Sequence, residues 1–68
     1  MKDFSIQIAS VPDRENLVAE IWYGDDLLLE LSNESQELEI EFYESAVNRF
    51  NFEELNKTLI KAKNKLLG

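Results

Sequence analysis

Apolar and polar residues alternate through most of the first 43 positions and recur at helical spacing near the end of the chain. Phe4, Ile6 and Ile8 alternate with Ser5 and Gln7, the period-2 pattern of a strand with one buried face, so a first strand is predicted over 3–9. Residues 10–16 (SVPDREN) interrupt it: Pro12 lacks a backbone donor, and Asp13 and Asn16 favour turn conformations. In 17–23, Leu17, Ala19, Ile21 and Tyr23 share one side, and Val18, Glu20 and Trp22 share the other. The charge on Glu20 marks the second side as the solvent side. After Gly24-Asp25-Asp26, a third strand is predicted over 27–31, with Leu27, Leu29 and Leu31 on the core side and Leu28 and Glu30 facing outward. A polar turn, Ser32 to Gln36, leads into the most regular alternation of all, ELEIEFYE over 37–44. A fourth strand is predicted over 37–43, with Leu38, Ile40 and Phe42 as core and Glu37, Glu39 and Glu41 as a carboxylate face.

Side-chain parity constrains how these strands pair. A three-residue loop after Tyr23 places Ile21 opposite Leu29, Tyr23 opposite Leu27 and Glu20 opposite Glu30. A two-residue Gly24-Asp25 turn instead puts Glu30 opposite Ala19, on the core side, where a carboxylate is costly. The first register is therefore expected. Across the next turn, pairing Leu31 with Leu38 sets Leu29 against Ile40, Leu27 against Phe42 and Glu30 against Glu39.

Beyond Phe50 the period changes. Phe52, Leu55, Leu59, Ala62 and Leu66 recur at spacings of three and four, which makes one apolar stripe on a helix. Asn51 can cap that helix with Glu54 three residues on, and Phe50 and Leu55 sit where a hydrophobic staple places them. Glu53 and Glu54 in the first turn and Lys63 and Lys65 near the end match the helix dipole. The prediction is an α+β fold, ββββα, in two layers: a four-stranded antiparallel β-meander packed against one C-terminal helix over 52–67, in a single domain spanning 1–68.

Composition narrows the functional classes. The 68 residues contain no cysteine and no histidine, so thiolate chemistry, disulfides and the commonest general base and metal ligand are excluded. The formal net charge is −7, and it is unevenly placed: residues 1–51 carry twelve acids against three bases, whereas 52–68 carry two acids against four lysines. Neither nucleic acid nor an anionic membrane suits such a chain, because both select clustered Lys and Arg. No apolar run approaches the length of a membrane span, and Met1-Lys2-Asp3 does not open a signal peptide. A cytoplasmic location follows as the expectation.

Catalytic constellations are weak. The serines have no histidine to activate them, the two glycines form no phosphate-cradling loop, and paired carboxylates on a flat sheet face lack a concave, desolvated site. No enzyme activity, metal or cofactor is expected. The strongest feature is the outward sheet face, where alternation gathers Glu20, Glu30, Glu39 and Glu41 with Trp22, Leu28 and Tyr43. Like charges across neighbouring strands repel, and Trp and Tyr are favoured at interfaces. These seven residues are the candidate binding site for a basic protein partner.

The stretches LVAEIWY, ELEIEFY and FNFEELNKTLIKAKNKLLG together resemble, over roughly 14–68, short bacterial immunity proteins of polymorphic or contact-dependent toxin loci. That resemblance implies a cytoplasmic protein that neutralises a basic toxin domain, such as a nuclease, by covering it. The alternative is a small structural or regulatory subunit, or a homodimer, associating through a sheet edge or through surplus apolar residues such as Val47, Ile60 and Leu67.

Overall fold

A computed structural model describes residues 3–12, 15–45 and 48–68. Four strands, β1 (Phe4–Ala9), β2 (Val18–Tyr23), β3 (Asp26–Ser32) and β4 (Glu39–Phe42), form one open antiparallel sheet in the order β1-β2-β3-β4, followed by a C-terminal helix, α1 (Phe52–Leu67). This is the ββββα meander that the alternation predicts, with the helix bounds as expected. Leu17 falls outside β2 and is exposed, and β4 is shorter than the predicted 37–43. Val47 lies outside the described residues.

The core collects on one face of the sheet. Ala19, Ile21, Leu28, Leu29 and Leu31 form a buried cluster with Ala62 of α1, and Phe4, Ile6, Tyr23, Leu38, Phe50, Leu59 and Leu66 pack against it. Ala62 is the α1 residue that joins this cluster and is fully buried. Its small side chain lets the helix approach the sheet closely, which a larger residue there would prevent. The helix starts at Asn51, whose side-chain oxygen accepts from the backbone N–H of Glu54 at 3.0 Å, and ends at Gly68, which has φ 87° and donates its N–H to the carbonyl of Asn64.

Both registers weighed for the β2–β3 hairpin are present in part. Ala19, Glu20 and Ile21 face Leu31, Glu30 and Leu29 as expected, but a bulge follows Ile21, so Trp22 faces Leu27 and Tyr23 faces Asp26. The turn is therefore the two-residue Gly24-Asp25 type, and the expected Tyr23–Leu27 pair is replaced. Gly24 has φ 62° while no non-glycine residue has positive φ, the pattern of a type II′ turn, whose twist suits a hairpin. The extra residue in β3 is absorbed by the bulge, which restores parity and keeps Glu30 off the core side.

The β3–β4 register also differs, by two residues. Leu31 faces Ile40, Leu29 faces Phe42, Glu30 faces Glu41 and Ser32 faces Glu39. The connection runs through Leu38 instead of ending at Gln36, and parity, hence the face of each side chain, is preserved. A shift of two costs no side chain its environment, so alternation alone cannot distinguish the two pairings.

β4 departs most from expectation. Ile40 is 45% exposed and Phe42 72% exposed, although both lie on the core side. The helix packs against β2 and β1, and the reason is geometric. A helix is about 10 Å wide, whereas strands repeat every ~4.8 Å, so one helix covers about two strands of four. The apolar face of β4 is left uncovered, and Phe52, at the near end of the helix stripe, is likewise 73% exposed.

Candidate functional site

The seven residues expected on the outward face separate into three groups. Glu39 and Glu41 are exposed on β4. Glu20 and Trp22 are half-buried and bonded to each other, the indole Nε1–H donating to Glu20 Oε1 at 3.3 Å. Glu30 and Leu28 are buried, each only 4% exposed, which corrects the expectation that they present their side chains to a partner. Leu28 belongs to the core cluster because the bulge displaces it from strict alternation. Glu30 sits on a central strand between Glu20 of β2 and Glu41 of β4.

The carboxylate row crosses the sheet as Gln7, Glu20, Glu30 and Glu41, with Glu41 in the place expected for Glu39. Side-chain donors from the same face temper its repulsion. Tyr43 donates its hydroxyl to Glu30 Oε2 at 2.6 Å, and Trp22 serves Glu20 as described above. Hydrogen bonds to an ionised acceptor are stronger than neutral ones. Thus the two aromatics expected to face a partner also stabilise the acidic row internally. Tyr43 remains 39% exposed, so its ring still contributes to the surface.

A second carboxylate joins two loops. Glu34, in the β3–β4 connection, accepts from the backbone N–H groups of Glu15 (2.6 Å) and Asn16 (3.0 Å). Asn16 Nδ2 in turn donates to the carbonyl of Asn33 at 3.0 Å. The β1–β2 loop and the β3–β4 connection are thereby tied together.

The uncovered apolar surface forms a groove of about 490 Å³ between the end of β4 and the start of α1. Leu28 and Leu29 line it from the sheet, Phe42 and Tyr43 from the β4 end, and Phe50, Phe52 and Leu55 from the entry and first turns of the helix. Phe50 is held there by an aromatic trio, with ring centroids 5.6 Å from Phe4 and 5.3 Å from Tyr23. Residues adjacent in sequence to the lining, Glu41, Glu44, Glu53 and Glu54, are all exposed and outnumber Arg49 in the same segments. Among the described residues, no three carboxylates converge as a metal site requires, and no helix is long and apolar enough to cross a membrane.

Reading the sequence by alternation identified the acidic face but missed this groove. The signal was present in the element count, since a single helix stripe cannot cover the apolar residues of four strands. Comparison with protein-family models, curated proteins and solved structures found no match to the chain.

Proposed function

We propose that this protein is an acidic protein-binding module whose partner is basic, acting as an immunity protein that neutralises a basic toxin domain, such as a nuclease, by covering it. The observation that carries the binding reading is the pair Phe42 and Phe52, 72% and 73% exposed on either side of an apolar groove in a chain of net charge −7. Exposed aromatics beside a concave apolar surface are characteristic of binding hot spots. Acidic residues around them favour a basic partner and accelerate its encounter. The neutralising role rests on the resemblance of 14–68 to toxin-locus immunity proteins and on the acidity of the chain.

The test is photo-crosslinking from position 42 and from position 52 in the native cell, followed by identification of the attached protein. The expected product is a basic protein whose expression alone arrests growth and whose toxicity is relieved by co-expression of this chain. A captured partner that is acidic would overturn the binding reading. A basic but harmless partner would overturn the neutralising role and favour the regulatory-subunit alternative. Binding should weaken steeply between low and high salt, whereas a homodimer formed by apolar contact should not.

A further inference from the structure

β4 is the last strand of an open sheet, and its four residues are all exposed. The orientation of its backbone follows from one bond. Tyr43 N–H donates to the carbonyl of Leu28 at 2.9 Å, so in an antiparallel ladder Tyr43, Glu41 and Glu39 direct their N–H and C=O groups toward β3. Ile40 and Phe42, by alternation, direct theirs toward the open edge. No turn, loop or cap bond among the described residues uses those edge groups. Natural edges are commonly protected by short length, charged side chains, Pro or a bulge, and β4 has the first two, with four residues and two glutamates that disfavour any strand not carrying positive charge. Among its described residues, β4 has neither Lys nor Pro, and its ladder with β3 runs without a register shift.

We infer that β4 receives an extended segment of the basic partner as a fifth strand, and that this segment alternates Lys or Arg with apolar residues. The inference rests on the binding reading above and specifies its mode. A strand added to β4 must match both faces at once. Its side chains on one face meet Glu39 and Glu41, which calls for positive charge. Its side chains on the other meet Ile40 and Phe42, which calls for apolar groups, one of them seated in the groove beside Phe52.

The same alternation disfavours a second copy of this chain as the occupant. Pairing β4 with itself in an antiparallel register that keeps both apolar faces together sets glutamate opposite glutamate. Moving the register by one residue places Ile40 and Phe42 of one copy on the acidic face of the other. Main-chain hydrogen bonds supply affinity in such strand addition, and alternate side chains supply specificity.

Two probes of identical composition separate this mode from simple charge attraction: a short peptide alternating lysine and valine, and a block peptide with its lysines and valines segregated. The expected result is that the alternating peptide binds about tenfold more tightly or better and slows hydrogen exchange of the Ile40 and Phe42 amides. Ile40→Pro removes one edge N–H and should abolish binding, whereas Ile40→Val should retain it. If Ile40→Pro fails to fold, N-methylation of alternate residues in the peptide applies the same test from the other side, and binding must fall.

Equal binding of the two peptides, or no change at the Ile40 and Phe42 amides, would overturn strand addition. Concentration-dependent dimerisation through β4 would overturn it in favour of a second copy. If crosslinks from positions 42 and 52 still reach a basic protein while the alternating peptide does not bind, strand addition fails and the binding reading stands. If both fail, the binding reading falls with it.

Discussion

The Tyr43 hydroxyl donates to Glu30 Oε2 at 2.6 Å, joining the residue that follows β4 to a carboxylate that is 4% exposed on β3. The bond spans the strand pair whose register alternation could not determine, and it pins that register from the side chains. A buried carboxylate deprived of a donor retains its desolvation cost.

Tyr43→Phe should therefore destabilise the fold by about 1–3 kcal/mol, although the ring and its packing are kept. Urea denaturation of Tyr43→Phe, Glu30→Gln and the double variant measures the coupling. The two effects should be clearly non-additive, as expected for groups in direct contact. Additive losses would mean that the bond contributes nothing to stability.

The type II′ turn makes a prediction about chirality. Gly24 at φ 62° holds a conformation that an L-residue adopts at a cost, so Gly24→Ala should lower stability by about 1 kcal/mol or more. The D-alanine variant, prepared by chemical synthesis, accepts positive φ and should be at least as stable as the parent. Equal behaviour of the two enantiomers in thermal melts would contradict the turn assignment.

Helix capping can be isolated at Asn51. Asn51→Ala removes the bond to the Glu54 N–H and should cost about 0.5–2 kcal/mol, whereas Asn51→Asp retains an acceptor and should cost little. Thermal or urea midpoints of the two variants check the difference.

Stability and binding should separate between the two apolar populations. Leu29 is buried in the core cluster, and Leu29→Ala should cost about 2–5 kcal/mol, which a domain this small tolerates poorly. Phe42→Ser and Phe52→Ser remove mostly exposed rings and should change stability by only about 0.5 kcal/mol, while weakening partner binding by about tenfold or more. A large loss of stability in Phe52→Ser would show that the groove is structural.

Ala62 offers a test of the helix–sheet spacing. It is fully buried in the core cluster, so Ala62→Leu adds volume to a packed contact and should destabilise by about 1–3 kcal/mol. A denaturant midpoint equal to that of the parent would indicate that the helix shifts to accommodate it.

Much of the fold was legible because local pattern specifies local structure. Alternation at Phe4, Ile6 and Ile8, the punctuation at Gly24 and the change to helical spacing after Phe50 located all four strands and the helix. The short polar turns Gly24-Asp25 and the connection after Ser32 made neighbouring antiparallel strands the simplest arrangement. Parity also gave the opposition of Glu20 and Glu30, although Val18, on the side it marked as solvent-facing, is fully buried.

Three features were decided only by tertiary structure. The bulge after Ile21 reconciles a two-residue turn with the parity of Glu30, and it moves Leu28 into the core, because a bulge breaks the period on which face assignment depends. Burial of Glu30 depends on Tyr43 reaching across from beyond β4, a contact between residues thirteen apart. The exposure of Phe42 and Phe52, and with it the groove, depends on where one helix settles over a sheet wider than itself. Alternation states which side of a strand is apolar. Whether that side is covered is a matter of area, and only the packed molecule determines it.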